Sequence, residues 1–152
     1  MKKHFSLILS LVLICTIFSS QVYADSADTV TSRSVETFED GSYIVTELTV
    51  TSYARSTVKS ALKTKTYYSA ANDVLWDATL LATFEYEYGV SCEAVTAGIS
   101  YNIYSDYWEF VHKTSRCNLK VAFGTIQMLN TVNDTTYTYQ ITITCDEYGN
   151  CY

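Results

Sequence analysis

From Val74 to Tyr88 the chain reads VLWDATLLATFEYEY. Every even position is apolar or aromatic: Val74, Trp76, Ala78, Leu80, Ala82, Phe84, Tyr86 and Tyr88. The odd positions, among them Asp77, Thr79, Thr83, Glu85 and Glu87, are mostly polar. A period of two sends successive side chains to opposite faces of a sheet, so this stretch is a β-strand with one face in a core and one face wet. At about 3.3 Å per residue it would span about 50 Å, far beyond an ordinary strand, so a bend or bulge is expected near Leu80-Leu81, where the alternation blurs.

The rest of the chain repeats the theme. Ser34–Glu39 reads as extended, and Asp40-Gly41 is a turn signal before Ser42–Tyr53. Ala54–Leu62 (ARSTVKSAL) reads as a short helix or a linker. Lys63–Ser69 is a strand, and Ala70–Asp73 a turn into the central run. In Cys92–Tyr104 one face carries Val95, Ala97, Ile99, Tyr101 and Ile103. Tyr107–Lys113 holds the second tryptophan, Thr114–Asn118 reads as a loop holding Cys117, and Leu119–Leu129 is apolar with Gly124 as a candidate bulge. Thr135–Cys145 alternates cleanly, with Tyr137, Tyr139, Ile141, Ile143 and Cys145 on one face. Roughly seven or eight strands at regular spacing, with no βαβ pattern, predict an all-β antiparallel sandwich, immunoglobulin-like in the loose sense.

The first 24 residues have the pattern of a secretory signal peptide. Lys2, Lys3 and His4 precede an apolar run from Phe5 to Phe18, and Val22-Tyr23-Ala24 offers a cleavage site. The run is too short to span a bilayer. The expected division is residues 1–24 as signal, 25–33 as a flexible Ser/Thr-rich arm, and 34–152 as one β-sandwich domain. Loss of Lys2 and Lys3 leaves 8 basic against 16 acidic residues, a formal charge of −8. Such a surface repels phosphate backbones, so nucleic acid is not an expected partner, nor is the membrane after cleavage. The expected location is extracellular.

Cys15 leaves with the signal, and Cys92, Cys117, Cys145 and Cys151 remain. Four cysteines in a small exported chain read as two disulfides with three possible connectivities. No pair has the Cys-x-x-Cys spacing of a redox motif or zinc knuckle, and the mature chain holds one histidine, His112.

Candidate chemistry is sparse. No serine sits in a Gly-x-Ser-x-Gly elbow, and His112 in YWEFVHK reads as an ordinary strand residue. Asp77, Glu85 and Glu87 share a wet strand face and Glu109 lies elsewhere, the raw material of a small hydrolase using acidic residues. No Asp-x-Asp-like calcium loop is present and no cofactor motif is found. The positive signal is aromatic: of 14 tyrosines all but Tyr23 remain. Exposed tyrosines on a sheet stack on sugars or anchor a protein partner. Tyr101, Tyr104, Tyr107 and Trp108 are the densest cluster and the candidate binding residues. The expected function is that of a non-enzymatic extracellular module binding a protein or a glycan. The alternatives are the hydrolase and a self-assembling structural protein, since the chain has no proline to blunt a strand edge.

The segments FEDGSYIVTE, KTKTYYSAANDVLW, ATFEYEYGVSCEA, ISYNIYSDYWEF and ITITC resemble a family of small secreted β-rich proteins of unknown function from Gram-positive anaerobic bacteria. The resemblance covers Phe38–Cys145. Ala82 stands where the family tends to have glycine, and Cys117 and Cys151 are extra. The resemblance implies a Cys92–Cys145 bond between core strands, with Cys117 then pairing with Cys151. A crosslink closing about 50 residues is worth on the order of 4 kcal/mol in the chain-entropy model. The rival connectivity is a local Cys145–Cys151 clasp with Cys92–Cys117.

Overall fold

The computed structural model describes residues 27–53 and 56–152. The signal peptide assigned to 1–24, the first two residues of the arm, and Ala54-Arg55 lie outside the described residues. Eight strands follow one another: β1 (Ala27–Thr37), β2 (Tyr43–Tyr53), β3 (Val58–Tyr68), β4 (Val74–Glu87), β5 (Ser91–Ile103), β6 (Trp108–Asn118), β7 (Val121–Asn130) and β8 (Thr135–Thr144). They form two antiparallel sheets. The larger has the order β1-β2-β3-β4-β5 and the smaller β6-β7-β8. The expected β-sandwich is present, built as two consecutive meanders. Within each sheet every strand pairs with its neighbours in sequence, so the described residues hold no Greek-key crossing of the immunoglobulin kind.

Three segments depart from the sequence reading, and the first is Thr114–Asn118: expected as a loop, it continues β6 in pairing with Val121–Thr125 of β7. The arm 25–33 is not loose from Ala27 onward: it is the first half of β1, paired with β2 from Ala27↔Tyr53 to Thr37↔Tyr43. Its Ser and Thr side chains conceal a strand that is exposed on both faces, where burial leaves no apolar period to read. Within Ala54–Leu62, strand begins at Val58. There Lys59 and Lys63 occupy inward positions, so the periodicity is written in lysines rather than in apolar residues.

β4 is the central strand. Trp76, Ala78, Leu80, Ala82 and Phe84 are all fully buried, as the alternation requires. Each large side chain removed from water this way contributes about 2 kcal/mol. They pack against Ala122, Ile126 and Met128 of β7 and Ile141 and Ile143 of β8. The register irregularities fall elsewhere than Leu80-Leu81: Leu75 of β4 is the extra residue opposite Tyr67/Tyr68 of β3, and Val95 of β5 is the extra residue opposite Thr83/Phe84. The Val95 bulge reverses the parity of β5. Ala97, Ile99, Tyr101 and Ile103 face the core as expected, whereas Val95 turns outward and is exposed. Gly124 is no bulge, because β7 pairs without a break through it. A Cβ there would lie 3.1 Å from both Leu80 Cδ1 and Ile99 Cδ1, so this glycine sets how closely the two sheets approach.

The sandwich is closed along one side and open along the other. On the closed side β5 meets β6, with Ser115 Oγ donating to the Ala97 carbonyl at 3.0 Å and the Ala94 amide to Leu119 O at 2.8 Å. On the other side β8 lies over β3 and β4 and goes no further. The inward faces of β1 and β2 therefore extend past the edge of the smaller sheet.

Candidate functional site

This overhang makes a trough. Its floor is the inward face of β1–β3 and its wall is the free edge of β8 with residues 149–152. Three cavities run along it. One of about 340 Å³ is lined by Phe38, Asp40, Ser42, Tyr67, Tyr137 and Tyr139. The next, about 180 Å³, is lined by Ser32, Ser34, Thr46, Leu48, Lys63 and Tyr152. The last, about 220 Å³, lies between Val30, Val50, Ser52, Lys59 and Gly149–Cys151.

The aromatic end is organised by a turn. Gly41 takes a φ of +81°, which a side chain would resist, and the Phe38 amide and carbonyl close the loop on Ser42 and Gly41. This aims Asp40 at Ser42, whose amide and hydroxyl both donate to Asp40 Oδ1, at 3.0 and 2.6 Å. The Ser42 hydroxyl also meets Tyr67 Oη at 2.8 Å. Those bonds hold the Asp40 carboxyl below its usual range and keep it an anion. Behind it Tyr67 stacks on Trp76 at 5.6 Å, Tyr139 packs on Trp76 at 4.7 Å, and Tyr137 leans on Trp108 at 5.7 Å. Burial raises the pKa of both Tyr67 and Tyr139, so their hydroxyls stay protonated donors.

The middle of the trough is basic. Lys59, Lys63 and Lys65 occupy the same face of β3, opposite Phe84, Leu80 and Ala78 of β4. The Lys63 ammonium donates to Thr142 O of β8 at 2.9 Å, and Lys59 to Gly149 O. Burial first, and the neighbouring Lys65 charge second, push the Lys63 pKa down. Among the described residues the one ion pair is Arg33–Glu47, at 3.6 Å, so neither Lys63 nor Lys65 has a carboxylate partner there.

At the far end lie Cys92, Cys145 and Cys151. Cys145 is fully buried and pairs across an isolated antiparallel bridge with Cys151. Cys145 Sγ donates to the Asp146 carbonyl at 3.5 Å, and its thiol influences the titration of both Cys92 and Cys151. Burial, with Cys145 next, pushes the Cys92 thiol up to about 12. Cys151 is lowered by Cys145, helped by the Lys59 charge. Cys117 packs against the core, and its thiol is raised by burial alone. The four sulfurs are separate thiols.

The aromatic residues singled out from sequence do not assemble into one surface. Trp108 is buried, in edge contact with Trp76 at 6.1 Å and Tyr67 at 5.4 Å. Tyr101 stacks on Phe110 at 4.3 Å and lies under Lys113, filling the closed side of the sandwich. Tyr104 and Tyr107 are exposed, and the Tyr104 hydroxyl donates to Asp77 Oδ2 at 2.6 Å. Asp77 also receives Asn102 Nδ2 at 3.0 Å, and Glu85 stands on the same outward face, opposite Glu93. None of these carboxylates lines the trough. Glu85, Glu87 and Glu93 stand together but exposed on that wet face, and Asp77 lies eight residues along the strand from Glu85, about 27 Å. A further hollow, about 480 Å³ between Arg116, Phe123, Thr125 and Gln140, lies on the outward face of the smaller sheet. That is the wet side of an antiparallel sheet, and its polar lining is what solvent alone demands.

No family model, curated protein or solved structure matches this chain. The trough was not found from sequence. Its one signal there is the spacing of Lys59, Lys63 and Lys65, all odd-numbered positions alternating with Ala61 and Tyr67 on a single face.

Proposed function

We propose that this chain is an exported interaction module that binds an extended protein segment in the trough and catalyses no reaction. The observation that carries the reading is the mismatch of the sheets. Five strands face three, which leaves the inward face of β1–β2 and the edge of β8 without a covering strand. A trough with an aromatic pocket at one end and cations along its middle suits a linear ligand better than a reacting centre. Export is supported by the basic n-region, apolar run and Val22-Tyr23-Ala24 site. The segments from Phe38 to Cys145 keep the proposal that the chain is akin to secreted proteins of Gram-positive anaerobes. In an oxidising medium Cys145 joins Cys151, because the bridge between them is a non-hydrogen-bonded antiparallel pair, the position where Cα atoms approach to about 4.5 Å.

Panning a random linear peptide library on the immobilised protein, beside a glycan array, tests the reading. Enriched peptides should lose binding to Tyr137→Ala and Lys65→Gln variants. Peptides indifferent to both, or ligands found on the glycan array alone, would overturn it.

A further inference from the structure

Residues 151–152 already show how the β8 edge is used. The Tyr152 amide donates to Thr144 O and the Thr144 amide to Tyr152 O, each at 3.0 Å. This is one hydrogen-bonded pair of an antiparallel ladder, laid on the side of β8 away from β7. Outward-pointing backbone groups recur every second residue along a strand. Thr142, Gln140, Thr138 and Thr136 therefore present their amides and carbonyls along the same edge. Among the described residues the partner this row finds is the Lys63 ammonium on Thr142 O. An unpaired row of this kind is a template for another strand.

What such a strand would lie on is equally defined. Its inward side chains would stand beside Tyr139, Ile141 and Ile143 of β8 and above Lys63 and Lys65 of β3. Those two lysines are partly buried, share one face at i and i+2, and form no ion pair among the described residues; the trough's carboxylates, Glu36, Glu39 and Asp40, belong to its aromatic end. Burial and mutual repulsion disfavour the Lys63 charge, and an anion in the trough would relieve both.

We infer that the smaller sheet takes its fourth strand from a partner: an extended acidic segment of about six residues that pairs with β8 from Thr142 to Thr136 and sets alternate carboxylates against Lys63 and Lys65. This rests on the reading of the trough as a protein-binding site and adds the chemistry of the ligand. Backbone pairing supplies the affinity and the lysines supply the choice of sequence. The span, six residues at about 3.4 Å, is roughly 20 Å, enough to carry the segment from Tyr152 to the aromatic end. The lysine on Thr142 O gives up a backbone carbonyl for a carboxylate, a stronger, charge-assisted partner.

Fluorescence anisotropy with labelled Thr-Glu-Thr-Glu-Thr-Glu-Thr tests this. Controls replace Glu by Gln or Lys, or carry backbone N-methyl groups on one edge or the other. The Glu peptide should bind about tenfold or more tightly than the Gln peptide, and the Lys peptide not at all. Lys65→Gln and Lys63→Gln, each shown folded by near-ultraviolet circular dichroism, should weaken the Glu peptide by about fivefold or more, and Lys65→Gln should leave the Gln peptide unchanged. N-methylation of the one edge that faces β8 should abolish binding and that of the other should not. Bound peptide should slow amide exchange at Thr138, Gln140 and Thr142. If N-methylation of the edge that faces β8 is harmless, strand addition is wrong; if Gln and Glu peptides bind alike, the lysines do not select. If no Glu peptide binds while the library yields trough-dependent ligands of other composition, this inference falls and the broader reading stands. If neither binds, both fall. Association of the protein with itself in place of the peptide, abolished by Lys65→Gln, would make the occupant a second copy and overturn the acidic-partner assignment.

Discussion

Lys63 on β3 reaches across the gap between the sheets and donates its ammonium to the main-chain carbonyl of Thr142 on β8, at 2.9 Å. A strand edge left bare invites pairing with other chains, and proteins often guard such edges with lysine. Here the guard comes from the opposite sheet rather than from the edge strand. In a chain without proline this contact, with Lys59 on Gly149 O and the Tyr152–Thr144 pair, protects the open side.

The Lys63 charge is disfavoured in the folded protein, first by burial and then by Lys65. The folded pKa lies below the unfolded value of about 10.4. Between those two values the unfolded chain binds more protons, so stability rises with pH through that window and is smaller below it. Carbon-13 lysine spectra should show Lys63 titrating earlier in the folded protein than in the urea-unfolded chain, and Lys65→Gln should move its midpoint upward. An unmoved midpoint would show that the two ammoniums are not coupled.

The three thiols at the far end give an order of reactivity. The thiolate is the nucleophile, so alkylation follows a lowered pKa and exposure. In the reduced protein near pH 8, iodoacetamide should label Cys151 first, whereas Cys92, pushed up to about 12, and the fully buried Cys145 should be labelled last. After mild oxidation, peptide mapping should return a Cys145–Cys151 fragment and an alkylatable Cys117. Recovery of Cys117 joined to Cys151, the pairing implied by the family resemblance, would require the tail to leave the β8 edge.

The core strand was legible in the sequence because its chemistry and its geometry agree. Trp76 through Phe84 alternate, and the even residues are the buried ones. The trough was hidden because its inward face breaks that agreement. Lys59, Lys63 and Lys65 stand where a reader expects apolar side chains, and long stems lying on apolar neighbours with an ammonium at a carbonyl are invisible to a hydrophobic period. Val95 misled for a different reason: a bulge adds one residue and reverses every parity beyond it. The aromatic cluster failed because neighbours in sequence need not share a surface. Trp108 points inward at the start of β6, while Tyr104 and Tyr107 belong to the connection before it.

Two glycines in facing sheets should behave oppositely. Gly124→Ala places a methyl 3.1 Å from Leu80 Cδ1 and Ile99 Cδ1. Both are ends of flexible side chains, so the core yields at a cost of about 1–2 kcal/mol. Gly98→Ala meets nothing within 4 Å and removes backbone freedom from the unfolded chain, a gain of about 0.5 kcal/mol. Urea titrations of both variants check the pair. A neutral Gly124→Ala would mean that the sheets can separate without loss.

Trp108 and Tyr107 are adjacent in sequence and should differ most in effect. Trp108 is 5% exposed and touches the rings of Tyr67, Trp76 and Tyr137, whereas Tyr107 is 63% exposed. Truncating Trp108 to alanine leaves a large void at the aromatic end of the core and should cost about 3–5 kcal/mol, a large share of the roughly 5–15 kcal/mol that hold a domain of this size together. Tyr107→Ala should stay within about 0.5 kcal/mol of the parent. Because Trp108 supports Tyr137, and Tyr137 lines the trough, a milder Trp108→Phe variant should stay folded yet weaken trough ligands through a displaced Tyr137. Equilibrium denaturation read beside peptide binding separates the two effects. A Trp108→Ala protein as stable as the parent would remove that ring from the core.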